Sequence, residues 1–440
     1  MSSVFLIKAL QLLLSLAILV VLHELGHFIP AKFFKTKVEK FYLFFDWPYS
    51  LFKKKIGDTE YGIGVLPLGG YVKIAGMIDE SMDTEHLAKE PQPWEFRSKP
   101  AWQRLIIMLG GVTVNVIVGF AIYMMVAFVW GKNIITQENL PDGFEVNEIM
   151  KPYGFQDGDK ILKVNGDSFE NVIDISKYLF LRDVSSVTVE HSNGKIEKLS
   201  IPENIGHVMM ESGVMDPFSP LIKPVIGQIE PNSLAEKLDF RNNDRIVTIN
   251  DLDINKWQQL SEFTKDSVSK ELKFELLRGD STIEKLVFLE ANQTLGVLNK
   301  RPDISITKIN FELSESISEG YYKAYWILSD YIKQFEYVFT PKGITQLGGF
   351  GAIGNIFPAS WDWQIFWEST ALLSLILAFM NILPIPALDG GHVMFLIYEV
   401  VTGSKPNDKF MEYAQMAGFL FLISLVIFAN GNDVYRYLFG

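Results

Sequence analysis

Two histidines and a glutamate lie close together near the start of the chain, in the segment His23-Glu24-Leu25-Gly26-His27. On an α-helix, residues four apart lie on the same face, so both imidazoles can reach a single metal ion. Glu24 lies beside them, where its carboxylate can hold the water molecule of such a site. The spacing therefore predicts a hydrolytic metal site. The alternative is a pair of interfacial histidines beside a snorkelling glutamate.

A third protein ligand must come from elsewhere, because catalytic zinc typically takes three protein ligands and keeps a fourth position for water. The candidate segment is 381–392, which reads NILPIPALDGGH. Pro384 and Pro386 interrupt an apolar helix there, and irregular backbone inside a membrane is tolerated only where it lines a cavity or is buried in protein. Asp389 follows this interruption and is the predicted third ligand, with His392 as its competitor.

Four apolar stretches must position these residues. The first, 4–22, contains Lys8 as its only charge, and about 20 apolar residues are enough to cross a bilayer. A cleaved signal peptide is the alternative for this stretch, but the apolar run is too long and no small-residue cleavage site follows it. We predict membrane-spanning segments at 1–30, 104–130, 361–402 and 410–430, of which the third is broken by its prolines.

Lysines in one loop indicate the orientation of these segments. Loop 31–103 carries Lys32, Lys35, Lys37, Lys40 and the run Lys53-Lys54-Lys55. Because Lys and Arg in short loops favour the cytoplasmic side, this loop is predicted to be cytoplasmic. Both termini and the long segment that begins at residue 131 then lie on the opposite side of the membrane.

The long segment contains an internal repeat. Residues 154–166 align with residues 239–251, and each copy reads as a turn followed by an alternating strand that ends in an Asn-led turn. The repeat resembles two tandem PDZ domains, at about 131–205 and 218–300. PDZ domains bind peptide ends by adding a strand to a sheet edge, although neither copy shows a clear Gly-Leu-Gly-Phe loop. A pair of small sandwiches that acts only as a spacer or size filter is the alternative.

The region 301–360 has a different composition. Its aromatic residues between positions 315 and 339 have the spacing of an amphipathic helix. This helix is predicted to lie on the membrane surface or to pack against the PDZ domains.

The overall composition excludes several classes of protein. The 440 residues include no cysteine, which excludes a disulfide framework, thiol catalysis and a Cys-ligated metal. The formal net charge of −12 argues against a nucleic-acid partner, because phosphate binding needs clustered Lys and Arg. Hydrophobic residues make up 48% of the chain and are concentrated in the four apolar stretches, as in a membrane protein with a soluble domain.

Together these motifs resemble the site-2 protease family of intramembrane zinc metalloproteases, and most closely its bacterial regulator-of-sigma-E protease type. The resemblance implies that His23, His27 and Asp389 bind Zn²⁺ and that Glu24 is the catalytic acid and base. It also implies that Asn381 engages the substrate backbone. The Gly-x-x-x-Asn motif of the family appears as Gly111 to Asn115, which makes Asn115 a further candidate for substrate binding, while Val112 stands where the family often has proline.

A further segment, 61–74, resembles the membrane-reentrant β-hairpin of the family. It reads as two short apolar strands, within about 60–75, around a Pro/Gly turn. Gly69, Gly70 and Tyr71 are therefore candidates for substrate binding, since the free edge of a reentrant hairpin can pair with an unwound peptide. A hairpin on the cytosolic surface is the alternative.

The predicted fold is a polytopic α-helical membrane protein with four transmembrane helices, a reentrant β-hairpin and two tandem PDZ domains in the extracytoplasmic segment. The resemblance implies an endopeptidase of the bacterial inner membrane that cleaves single-span membrane proteins. Its implied substrates are anti-sigma factors already cut at a first site, and remnant signal peptides. A transporter and a non-catalytic PDZ-bearing scaffold are the alternatives from other classes.

Overall fold

The computed structural model describes residues 3–67, 69–77, 90–266, 271–290 and 294–439. Parts of the predicted cytoplasmic loop (68 and 78–89) and of the predicted second PDZ domain (267–270 and 291–293) lie outside the described residues. The chain forms two compact units. One consists of Met1–Gly131 with Asn310–Gly440, and the other is Lys132–Ile309.

The helices of the described residues are, in chain order, α1 (Ser3–Phe33), α2 (Ala101–Trp130), α3 (Ile175–Leu181), α4 (Ile205–Ser212), α5 (Leu234–Lys237), α6 (Trp257–Asp266), α7 (Leu313–Phe335), α8 (Pro341–Gln346), α9 (Phe350–Gly354), α10 (Trp363–Ile382), α11 (Asp389–Thr402) and α12 (Asp408–Phe439).

The strands of the described residues are, in chain order, β1 (Val38–Leu43), β2 (Phe45–Ile56), β3 (Thr59–Leu66), β4 (Tyr71–Ile74), β5 (Lys132–Ile134), β6 (Phe144–Val146), β7 (Lys160–Val164), β8 (Asp167–Ser168), β9 (Ser186–Glu190), β10 (Ile196–Ser200), β11 (Phe218–Pro220), β12 (Ile226–Ile229), β13 (Arg245–Ile249), β14 (Leu252–Asp253), β15 (Glu271–Arg278), β16 (Ser281–Phe288), β17 (Val297–Asn299) and β18 (Thr307–Ile309).

Four helices of the described residues are long and apolar enough to cross a membrane, namely α1, α2, α10 and α12. This confirms the prediction of four apolar helices. The first, α1, has 31 residues and is therefore about 46 Å long at 1.5 Å per residue. It is longer than the hydrocarbon layer of about 30 Å, so part of an untilted helix of this length extends beyond that layer.

Two glycines bring α1 and α2 into direct backbone contact. A Cβ atom added at Gly110 would lie 1.9 Å from the carbonyl oxygen of Gly26. A Cβ atom at Gly26 would lie 2.4 Å from the carbonyl oxygen of Gly110. Small residues at such a crossing allow two membrane helices to approach closely. The crossing lies within the turn of α1 that carries the two histidines.

The chain leaves helical structure between α10 and α11. Pro384 and Pro386 stand in this interval, where each removes a backbone N–H donor from a possible continuous helix. Ala387 adopts a left-handed φ of 80°. Gly390 lies so close to the preceding segment that an added Cβ would come within 2.1 Å of the Leu383 carbonyl oxygen. The break therefore delivers Asp389 at the first position of a new helix.

The predicted hairpin at 60–75 is wrong in its pairing. Both strands are present, as β3 and β4, but the strand order of the sheet is β2-β3-β1-β4. β1 lies between them, parallel to β3 and antiparallel to β4. The prediction considered only the turn between β3 and β4. β1, which begins about twenty residues before β3, lies between these two strands and pairs with both, so they do not pair with each other. β4 forms one outer edge of this sheet and β2 forms the other.

The unit Lys132–Ile309 contains two separate hydrophobic cores. The first holds a sheet of order β10-β9-β7-β8, and the second holds a sheet of order β14-β13-β15-β16. The order is the same in both when corresponding strands are aligned, so the sequence repeat is also a structural repeat. The first core extends beyond the predicted limit of 205, because β11 pairs with β6 and Phe218 is buried in that core.

Each core contains one buried aspartate at the start of its repeat strand. The Oδ1 atom of Asp159 lies 2.7 Å from Nδ1 of His191 in the first core. In the second core, Arg278 donates to both carboxylate oxygens of Asp244, each at 2.7 Å. Asp159 and Asp244 are aligned in the repeat, so the same buried acid has a histidine partner in one copy and an arginine partner in the other.

The predicted amphipathic helix corresponds to α7, which packs against α2. A Cβ atom at Gly320 would lie 2.4 Å from the Met124 backbone, and Ala324 is fully buried beside Tyr123. Glu312 caps the helix start through a reciprocal capping box with Glu315. The small residues of α7 therefore pack against α2, whereas Tyr321, Tyr322 and Tyr325 of its aromatic side are exposed.

Candidate metal centre and cavity

The two histidines of α1 face one point, as their spacing predicted. Their Nε2 atoms lie 3.2 Å apart, and the ring planes are nearly perpendicular at 79°. His27 is buried and His23 is partly exposed. The α-helix alone accounts for this approach, because residues four apart lie one above the other on its surface.

Asp389 completes a triangle of donor atoms. Its Oδ2 atom lies 3.2 Å from Nε2 of His23 and 3.4 Å from Nε2 of His27. This oxygen is buried and has no hydrogen-bond partner among the described residues. Donors about 2.0–2.1 Å from a tetrahedral zinc ion are separated by about 3.3 Å. The three atoms therefore fit a zinc ion, and among the described residues theirs is the cluster of three or more His, Cys, Asp or Glu side chains able to hold a metal.

Other contacts set the orientation of both imidazoles. His27 donates from Nδ1 to the carbonyl oxygen of Ile107 at 2.8 Å, which leaves the lone pair of Nε2 directed at the triangle. The Asn115 side-chain amide lies 3.1 Å from Nδ1 of His23. Ser374 donates to the backbone carbonyl of Asn115 at 2.7 Å, so α10 holds this part of α2 in place. The role of Asn115 in substrate binding stays a prediction: its amide contacts His23, and the residue also lines the cavity described below.

Gly111 allows the imidazoles to lie directly against α2. A Cβ atom at this position would come within 2.4 Å of His27 Nε2 and 2.6 Å of His23 Cε1. No side chain larger than hydrogen fits there without displacing a donor atom. The glycine of the Gly-x-x-x-Asn motif thus has a steric explanation.

Glu24 lies next to the triangle and faces an open cavity. Together with His23 and Asp389 it lines a cavity of about 610 Å³. The Val72 backbone of β4 hydrogen-bonds to the Glu24 carboxylate. The carboxylate is therefore held between the donor triangle and the edge of the sheet.

Most of the predicted site residues line this cavity. Its lining includes His23, Glu24, Gly69, Gly70, Asn115, Asn381 and Asp389. Asn381 also approaches His23, with 3.5 Å between its Nδ2 and the imidazole Nε2. Tyr71 is not among the lining residues. Its ring stacks on Tyr42 and Phe45, with centroid distances of 5.5 and 6.0 Å.

His392, the competing third ligand, points elsewhere. Its Nε2 atom lies 2.9 Å from the side-chain nitrogen of Gln415 on α12, and it is not part of the donor triangle. One turn of α11 separates it from Asp389. Of the two candidates, the geometry therefore favours the aspartate.

Several contributors to the site were missed from the sequence. The Ile107 carbonyl and the Val72 backbone are main-chain groups, so no residue type could have marked them. Ser374 lies in an apolar helix where serine commonly bonds to its own backbone. The Gly-x-x-x-Asn spacing was the available signal for Gly111, and only the packing shows what this glycine does.

A pair of histidines on a membrane helix that meets an aspartate from a proline-broken segment defines the class of membrane-embedded metallopeptidases. The model of Peptidase family M50 matches residues 11–425, and the chain belongs to this family.

Named relatives extend over nearly the whole chain. It is 28% identical to the regulator of sigma E protease of Haemophilus influenzae, covering 96% of this chain and 98% of that protein. It is 24% identical to the regulator of sigma-E protease RseP of Escherichia coli, covering 98% of this chain and 99% of that protein. A protein of Neisseria meningitidis, named as a zinc metalloprotease, is 26% identical to this chain, and the match covers 98% of this chain and 99% of that protein. The chain is thus a membrane metalloendopeptidase whose family implies a metal ion, zinc.

Proposed function

We propose that His23, His27 and Asp389 bind one zinc ion and that Glu24 is the general base and acid of a peptide-bond hydrolysis inside the membrane. The observation that carries this proposal is the convergence of the three donor atoms at 3.2–3.4 Å from one another beside an open cavity. The unpartnered Oδ2 of Asp389 supports it, because a buried carboxylate oxygen needs a cation or a donor.

Zinc, when bound, supplies a Lewis acid that polarises the scissile carbonyl and lowers the pKa of water to about 7. Glu24 accepts the proton of the attacking water and later delivers it to the leaving amine. The hydrogen bond from the Val72 backbone keeps the carboxylate of Glu24 facing the cavity. His27, anchored on the Ile107 carbonyl, holds its proton on Nδ1 throughout.

The substrate is a single-span segment that unwinds locally before it is cut. A helical peptide bond is shielded by its own hydrogen-bond ladder, so an opened segment needs new partners in the low-dielectric membrane. The outer edge of β4, which borders the cavity through Gly69 and Gly70, can supply them by strand addition. Asn381 is placed to donate its amide to the same backbone.

The two repeats in Lys132–Ile309 are proposed to be extracytoplasmic PDZ domains that exclude substrates with bulky ectodomains. This role fits the lysine-rich loop 31–103, which is predicted to face the cytoplasm and therefore leaves the two repeats on the opposite side of the membrane. The names of the relatives point to control of a sigma factor. We therefore propose anti-sigma factors trimmed at a first site, and remnant signal peptides, as substrates in a bacterial inner membrane.

Metal content and peptidase activity test the assignment together. The native chain, purified in detergent, should contain about one zinc and cut model single-span peptides. Glu24→Gln should keep the metal and lose activity by roughly 10²–10⁴-fold. His23→Ala should lose both. Glu203→Gln, an exposed position in the other unit, is the matched control and should behave as native.

Two results would contradict the assignment. Cleavage by Glu24→Gln at the native rate would remove Glu24 from the chemistry. A full zinc complement in both His23→Ala and Asp389→Ala would mean that the metal binds at another place.

A further inference from the structure

The outer edge strand β2 presents an ordered surface of apolar and basic side chains. Trp47, Tyr49 and Leu51 are 74%, 60% and 63% exposed. The run Lys53-Lys54-Lys55 follows at once, and all three lysines are exposed. Aromatic groups thus occupy one half of the strand and positive charges the other.

Two contacts fix the level of this strand along α1. At one end, Ile56 pairs with Thr59, whose hydroxyl accepts a hydrogen bond from Lys32 at 2.8 Å. At the other end, Phe45 contacts Gly69, and Gly70 next to it lies against Val20 of α1. Because Val20 and Lys32 are about 18 Å apart along the helix axis, β2 runs alongside the last turns of α1.

The end of β2 that carries the lysines lies level with Lys32, in the last turn of α1. Because α1 is about 46 Å long and the hydrocarbon layer is about 30 Å thick, the end of α1 at Lys32 reaches the headgroup layer, while the turn with His23 and His27 stays inside the membrane. In the headgroup layer water can pair with the free backbone edge of β2 around the lysines, which hydrocarbon could not do. Trp and Tyr are enriched at this depth, and the lysines lie at the end of β2 that is further from the hydrocarbon.

The three lysines are not neutralised within the described part of the chain. No ion pair to Lys53, Lys54 or Lys55 occurs among those residues, whereas Lys40 of β1 is paired with Asp46. Glu60 faces Lys55 across the sheet, and its carboxylate accepts a hydrogen bond from Tyr42. Three adjacent cations beside a membrane surface complement anionic phosphodiesters.

We propose that Lys53, Lys54 and Lys55 bind the headgroups of anionic phospholipids in the cytoplasmic leaflet, with Trp47 and Tyr49 in the adjoining interface. The inference rests on the membrane orientation of α1 and not on catalysis. It gives the sheet a lipid contact at one edge, while its opposite edge, β4, contacts Glu24. Anionic lipid then holds the sheet at the depth that the cavity requires.

The test places the full chain in nanodiscs and measures the quenching of Trp47 fluorescence, isolated by difference from Trp47→Phe. Brominated phosphatidylglycerol and brominated phosphatidylcholine are compared at equal mole fraction. The native chain should show stronger quenching by the anionic lipid, and added salt should reduce the difference. Each lysine should contribute about fivefold to the lipid preference.

K53Q/K54Q/K55Q should abolish the preference. K163Q/K198Q/K308Q removes the same charge from exposed lysines of Lys132–Ile309 and should retain it. Zinc content checks that both variants fold. As a second measurement on the native chain, acetylation of Lys53–Lys55 should be slower in discs with phosphatidylglycerol than in discs with phosphatidylcholine.

Equal quenching by the two lipids in the native chain, or an unchanged preference in K53Q/K54Q/K55Q, would overturn the proposal. Protection of the lysines by an acidic peptide but not by phosphatidylglycerol would also overturn it and assign the surface to a protein partner. Glu24→Gln should give the native lipid result, so failure of the lipid site and failure of the proposed catalysis are distinguishable.

Discussion

Gly111 is the residue whose lack of a side chain most directly shapes the proposed zinc site. The two imidazoles lie so close to α2 that even a methyl group would reach the donor nitrogen of His27. The His-Glu-x-x-His spacing could be predicted to bind metal because a helix places such residues on one face. The position of the α2 backbone against those rings could not be predicted, since it depends on how two helices cross.

Gly111→Ala should therefore weaken zinc binding by about 10–100-fold or more, in the range seen when groups that orient metal ligands are changed. The reason is direct displacement of His27 and His23. Zinc retained after dialysis against a metal buffer is the measurement. Thr113→Ala, an exposed position of the same helix, is the control. Native affinity in Gly111→Ala would show that the imidazoles have more room than the structure gives them.

At the scale of elements, the proline-broken segment and the four apolar helices could be predicted from the sequence. Proline lacks an N–H donor and long apolar runs match the bilayer, so each signal is local. The strand order of the sheet could not be predicted in the same way. β1 enters between β3 and β4 and pairs in parallel with β3, and such a pairing depends on where α1 ends rather than on a turn motif.

The crossing of α1 and α2 can be tested as an element. Gly110→Ala would place a methyl group 1.9 Å from the Gly26 carbonyl oxygen, and the helices would have to separate. We expect a loss of about 1–3 kcal/mol in the free energy of unfolding, measured by denaturation in detergent. Gly431→Ala in α12 meets no atom within 4 Å and should stabilise by roughly 0.5–1 kcal/mol. Similar effects of both variants would contradict a tight crossing.

The first repeat should respond to pH through Asp159. Burial raises the pKa of its carboxyl, and the Gln156 backbone hydrogen bond and His191 offset part of this rise. A raised pKa in the folded state means that folding takes up a proton. The resulting stability is present below the ordinary value of about 3.9 and is lost as pH rises through the folded value.

Hydrogen exchange of β7, β9 and β10 measures this effect. After correction for intrinsic rates, exchange should become faster as pH rises above the ordinary carboxyl pKa of about 3.9, and Asp159→Asn should remove the trend. Asp244→Asn changes the aligned residue of the other repeat and should leave the pH trend of β7, β9 and β10 unchanged. A trend that survives in Asp159→Asn would assign the proton to another group.

At the scale of the whole molecule, the first and last residues of the unit Lys132–Ile309 lie next to each other. β5 and β18 are antiparallel, and Lys132 pairs directly with Ile309. Paired Cα atoms in such ladders are about 4.5–5.5 Å apart. A short Gly-Ser link can therefore join Gly131 to Asn310 without stretching the membrane unit.

If the two repeats exclude bulky substrates, this shortened chain should bind zinc and cut both trimmed and untrimmed single-span substrates, whereas the native chain should cut only the trimmed form. The measurement is cleavage of matched substrates with and without a folded ectodomain in the same detergent. A shortened chain that cuts the trimmed substrate and leaves the untrimmed one intact would refute the size filter.

The contact between Gly26 and Gly110 also bears on how the ion arrives. It locks two of the three donors in place through main-chain atoms, whereas the third donor follows a non-helical stretch that includes a left-handed alanine. A shift of the proline-broken segment would therefore open the proposed zinc site on one side and leave both imidazoles where they are.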